Sequence, residues 1–101
     1  MNALPIPSAA LEADEATELL RLFRADGDLQ TLLDIGHWGP DQPDEDARWG
    51  KVFGEAILAI AAQLAERDGI PPAQAIRRIK QSFDAEFERP TSSKWIADLD
   101  G

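Results

Sequence analysis

The stretch from Asp44 to Gly69 constrains this chain most. Its apolar residues recur every three or four positions, which predicts one long amphipathic helix occupying a quarter of the protein. That helix carries two stripes. Trp49, Phe53, Ile57, Ile60 and Leu64 form a large apolar stripe that can enter a core. Gly50, Gly54, Ala61 and Ala65 form a small one, along which another backbone can approach closely. Asp44 or Asp46 is placed to cap its start, and Gly69 to close its end. A short chain built around such a rod is arranged for packing and association rather than for a reaction.

The remaining elements follow from period and punctuation. Leu4-Pro5-Ile6-Pro7 reads as an extended strap, because each proline fixes its own backbone and pushes its predecessor out of the helical region. We expect this strap to cover residues 1–13. A first helix is predicted over Asp14 to Asp26, with apolar Ala16, Leu19, Leu20 and Phe23 and with Gly27 as the residue that ends it. From Leu29 the period changes to two: Leu29, Thr31, Leu33 and Ile35 alternate with Gln30, Leu32 and Asp34, a strand signature. After the acidic loop Gly39–Asp46 and the long helix, Ile70-Pro71-Pro72 forces a turn. Pro72 suits the first turn of a third helix carrying Ile76, Ile79, Phe83 and Phe87, which Pro90 stops. A tail over residues 91–101 contains Trp95, Ile96 and Leu99, apolar residues by which part of it can dock.

The expected architecture is therefore α+β and mainly α, a single domain of three helices with one central strand or a short two-stranded pairing. A lone strand leaves main-chain donors and acceptors unpaired. Three neighbours can satisfy it: the tail, the proline-rich strap, or the same strand of a second subunit across a two-fold axis. We favour the last, and with it a homodimer. The expected core is Leu19, Phe23, Leu33, Ile35, Trp49, Phe53, Ile57, Ile60, Leu64, Ile76, Ile79 and Phe83.

Composition narrows the function classes. At 101 residues the chain suffices for one modest core. Its net charge of −9 argues against nucleic acid and anionic membranes. There is no cysteine, so nothing points to an oxidising compartment. The start of the chain lacks the basic and apolar regions of a signal peptide, and no segment reaches the roughly 20 apolar residues of a membrane span. We expect a cytoplasmic protein of bacterial type.

No catalytic set stands out. His37 is the single histidine, lying between Gly36 and Trp38 with Asp34, Asp41 and Asp44 close in sequence. A carboxylate beside it would suit a general base, but no serine occupies a nucleophile motif. One histidine without cysteine is a poor zinc set, and Asp41, Asp44, Glu45 and Asp46 do not follow the EF-hand spacing. Phe83-Asp84-Ala85-Glu86-Phe87 points its two carboxylates in different directions on a helix. Arg77, Arg78 and Lys80 make too small a basic cluster for nucleic acid. We assign no catalytic, cofactor or metal residue and no cofactor. The candidate interaction residues are Gln30, Leu32, Asp34, His37, Trp38, Trp49, Gly50 and Gly54, with the Gln30–Trp38 region and its acidic loop as the expected working surface.

Leu4-Pro5-Ile6-Pro7 with Ala10, Ala16 with Glu18-Leu19-Leu20-Arg21, Gly36 with Trp38, Trp49-Gly50, and Phe83-Asp84-Ala85-Glu86 occur in this order. In this respect the chain resembles a family of small proteobacterial proteins catalogued as a domain of unknown function. The resemblance spans Leu4 to Thr91 and implies a free-standing cytosolic protein of no known activity. It brings no catalytic residue with it. The acidic loop and the tail after Thr91 depart from the family pattern. The leading expectation is a protein-interaction or structural module. The alternatives are a small-ligand or metal-binding protein centred on His37 with Trp38, Asp34 and Asp41, and an acidic inhibitor or decoy of a basic partner, which clustering of Glu12, Asp14, Glu15, Glu18, Asp41, Asp44, Glu45 and Asp46 on one face would favour.

Overall fold

The computed structural model describes residues 4–91. The elements run α1 (Ser8–Glu12), β1 (Leu20–Ala25), β2 (Asp28–Leu33), α2 (Glu45–Asp68) and α3 (Pro72–Glu88). The architecture is α+β and mainly α, with three helices and a two-stranded antiparallel sheet among the described residues. The chain divides into two compact units, one ending at Pro40 and the other beginning at Asp41.

The first unit corrects the expected first helix. Its apolar residues at 16, 19, 20 and 23 satisfy a helical period, yet Leu20 and Leu22 equally satisfy a period of two. Asp26-Gly27 decides between them. Both residues have positive φ, 53° at Asp26 and 85° at Gly27. They form the two-residue loop between the paired residues Ala25 and Asp28. This is the primed turn whose twist matches that of a hairpin, and an Asp-Gly pair is one of its preferred sequences. Gly27 thus turns a hairpin instead of closing a helix. The strand expected at Leu29 is real, and its neighbour is β1 of the same chain, which was none of the three neighbours considered. An Asp34 N–H to Leu19 carbonyl bond of 2.9 Å continues the ladder beyond Leu33.

The strap also differs from expectation. Residues 8–12 coil into the short α1 within the segment expected to run extended. Pro7 precedes the first helical turn, where its missing N–H costs nothing, and its carbonyl accepts the amides of Ala10 and Leu11. Leu4 and Ile6 remain 91% and 63% exposed, so they form no packed strap.

The second unit is an αα-hairpin. α2 begins with Glu45 and Asp46, whose charges suit the positive end of a helix. Gly69 ends it in the left-handed conformation, φ 67°, and the Ile70 amide returns to the Ala65 carbonyl. Pro72 opens α3 as expected. Among the described residues the buried apolar side chains are Ala61, Ala65 and Ala75. Small side chains therefore let the two helices meet near their connecting loop. The expected core was too large: Leu33, Ile35, Ile60 and Phe83 are exposed. The proposed docking of Trp95, Ile96 and Leu99, and any pairing of the tail with a strand, lie outside the described residues.

Candidate functional site

The candidate residues fall into two groups, one per unit. In the first unit the register places Arg21 opposite Leu32 and Phe23 opposite Gln30. Gln30 and Leu32 therefore share one face of the ribbon with Arg21 and Phe23, since directly paired residues project to the same side. The opposite face carries Leu20 against Leu33, Leu22 against Thr31 and Arg24 against Leu29. Leu22, Leu29, Leu32 and Leu33 are all exposed, so neither face is closed.

Asp34 and His37 sit just after the ribbon. The His37 amide donates to the Asp34 carbonyl and the Gly39 amide to the Gly36 carbonyl, giving two successive turns. Gly36 and Gly39 hold φ of 88° and 100°, a backbone that side chains disfavour. The turn brings His37 Nδ1 to 3.0 Å from Asp34 Oδ2. The edge of one ring meets the face of the other between His37 and Trp38, with centroids 5.0 Å apart. Asp41 belongs to the other unit. Among the described residues no three His, Cys, Asp or Glu side chains converge as metal ligands.

An exposed ion pair flanks the start of β1. The Arg21 guanidinium donates to the Glu18 carboxylate through both Nε and Nη2. The hydrogen bond lowers the Glu18 pKa and raises that of Arg21. Glu18 therefore supports the fold above its ordinary value, and this support is lost as pH falls through the lowered one. Glu18 also lines a groove of about 540 Å³ with Leu4, Ile6 and Leu20 to Phe23. Leu20 and Phe23 in its lining are half-buried and the rest are exposed, and its charged groups, Glu18 and Arg21, are paired with each other.

The second unit contains the larger concavity, about 810 Å³ between α2 and α3. α2 contributes Trp49, Gly50, Phe53, Gly54, Ile57 and Leu58, and α3 contributes Ile76, Lys80, Phe83, Asp84 and Phe87. Trp49 is anchored by an indole N–H bond of 2.9 Å to Glu45. Its ring lies 6.4 Å from that of Phe53, and Phe83 and Phe87 meet edge to face at 4.8 Å. These aromatic pairs line the walls, but Phe83 stays 39% and Phe87 66% exposed. A Cβ added at Gly50 or Gly54 would meet nothing within 4 Å. The small stripe thus divides in function. Ala61 and Ala65 accommodate α3, whereas Gly50 and Gly54 form part of an open floor. Trp49, Gly50 and Gly54 were expected at a surface. Phe53 and Phe83, with Trp49, were also assigned to the core, and Phe87 was read only as part of the apolar face of the third helix; the three–four spacing on both helices was the signal that could have placed them in a shared groove.

The fold and this groove define a small α+β protein with an apolar concavity between its two longer helices. Residues 3–91 match the domain of unknown function DUF5076, and the chain belongs to that family. No curated protein matches it. A solved structure from the photosynthetic bacterium Rhodopseudomonas palustrus CGA009, provisionally named a pyruvate dehydrogenase, is similar over 92% of this chain and 90% of that one. The two share 26% identity and superpose with a TM-score of 0.63. Among the described residues no helix is long and apolar enough to cross a membrane.

Proposed function

We propose that this protein is a non-catalytic protein-interaction module of the cytoplasm, and that the α2–α3 groove is its working surface. One observation carries the reading: the walls of the groove are aromatic and aliphatic, yet Leu58, Phe83 and Phe87 on them are exposed and Trp49, Phe53, Ile57 and Ile76 are only half-buried. Contiguous apolar surface of this kind commonly marks a site of association. The three buried alanines give the helical hairpin little core of its own. Covering the groove would bury what the hairpin cannot bury alone.

The name given to the Rhodopseudomonas protein suggests an enzymatic alternative. Lys80 and Asp84 are the ionisable groups of the groove, and both are exposed. Acid–base or electrostatic catalysis needs polar groups converging on a bound substrate away from water. This groove supplies apolar walls instead, so the interaction reading is preferred. Among the described residues His37 and Asp34 make a pair that no third His, Cys, Asp or Glu joins as a metal-ligand set, which gives the ligand-binding alternative less support. The acidic residues considered for a decoy divide between the two units, Glu12, Asp14, Glu15 and Glu18 in one and Asp41, Asp44, Glu45 and Asp46 in the other.

Hydroxyl-radical footprinting inside cells tests the reading. Phe83 and Phe87 should be modified several-fold more slowly than in the isolated chain at high dilution, while exposed Leu32 reacts alike in both. Equal modification of the two phenylalanines in cells and in dilute solution would sink it.

A further inference from the structure

The α3 wall of the groove has a regular pattern. Ile76, Lys80, Phe83 and Phe87 are spaced four, three and four apart. This is the alternating spacing of a helical seam, with Lys80 as the charged member. Asp84 lies one turn after Lys80 and also lines the groove. The seam therefore carries one charge of each sign, four residues apart on one helix. A purely basic partner would answer Asp84 and leave Lys80 opposed; an acidic one would do the reverse. An antiparallel copy of the same helix answers both, because a two-fold axis passing between positions 80 and 84 brings each charge to its opposite twice.

We propose that a second copy of this chain closes the groove. Two helical hairpins meet about a two-fold axis to make a four-helix bundle, with Lys80 of each copy facing Asp84 of the other. The proposal rests on the reading of the groove as the working surface and names its occupant. Phe83 lies beside the axis, and Phe87 reaches toward the Ile76 end of the opposing α3. The seam uses the side chains that the hairpin leaves open, in the knobs-into-holes manner of four-helix bundles. The ion pairs set register and partner choice, and the aromatic residues provide the buried area.

Sedimentation equilibrium of the full chain tests this at physiological salt. Wild type should show a concentration-dependent monomer–dimer equilibrium. Lys80→Asp and Asp84→Lys should each weaken it about tenfold or more, since either change sets like charges against each other twice. Mixing the two single variants should restore a dimer, now a heterodimer, and the double variant carrying both changes should dimerise as wild type does. Lys80 and Asp84 are exposed, so the folded monomer survives these changes, which unchanged helical circular dichroism verifies. A wild-type monomer at every concentration overturns the proposal. So does a dimer indifferent to both charge reversals, which must use another surface. If Phe83 and Phe87 are nonetheless protected in cells and not in the dilute isolated chain, the interaction reading stands with another protein as the occupant.

Discussion

The two units are both hairpins, yet they are specified at different levels. The β-hairpin is specified locally, by the backbone that Asp26-Gly27 adopts and by the alternation on either side of it. The helical hairpin is specified across its loop, by where Ala61, Ala65 and Ala75 allow two rods to touch. A turn error in the first should unfold one ribbon. A volume error in the second should push two helices apart. In both units large apolar side chains remain exposed, so hydrophobicity alone does not show which residues organise the fold.

The contrast is broken most forcefully at Ala61. It is fully buried, and its neighbour Ile60 is 50% exposed. Ala61→Leu adds volume where α3 already sits and should cost about 1–3 kcal/mol. Ile60→Ala removes far more apolar surface but from a half-exposed site, and should stay within about 0.5 kcal/mol. Urea unfolding of the two variants compares them directly. The opposite ranking would mean that the alanine contact does not organise the helical unit.

Gly27 tests the other side. Gly27→Val forces a β-branched residue into the left-handed region and should cost about 1–2 kcal/mol. The damage should be local. Amide exchange should accelerate over Leu20–Leu33 while α2 and α3 keep their protection. Equal acceleration in both units would show that they fold as one, and the contrast between them would lose its basis.

The same difference of level explains what could be read without coordinates. α2 and α3 were legible almost to the residue, because Gly69, Pro71 and Pro72 punctuate a strong helical period. β2 was legible from its alternation. β1 was not, because Leu19, Leu20, Leu22 and Phe23 satisfy both periods, and Asp26-Gly27 reads as either a helix end or a primed turn. Resolving it required weighting the Asp-Gly pair, followed by an alternating segment, as a hairpin signal. The site was half legible. The small stripe on the long helix was visible, but which of its members would be covered depends on where the second helix crosses. That crossing is a tertiary fact. It separates Ala61 and Ala65, which are buried, from Gly50 and Gly54, which are not.

Gly50 and Gly54 give the smallest and sharpest test. Both lie inside α2 with open space where a Cβ would stand. Glycine within a helix costs about 0.5–1 kcal/mol relative to alanine, largely through the freedom of the unfolded chain. Gly50→Ala and Gly54→Ala should therefore each stabilise the isolated chain by that amount, raising Tm by a few degrees in dilute thermal melts. The same variants at high concentration report on the groove. A methyl group on its floor is harmless while the space stays open, and intrusive once a partner's side chains fill it. A gain when dilute that shrinks when concentrated would place the occupant directly over the glycines. A gain that is unchanged would hold the contact to the α3 seam. A loss even in dilute solution would contradict the open floor, and with it the distinction between the buried and open halves of the small stripe.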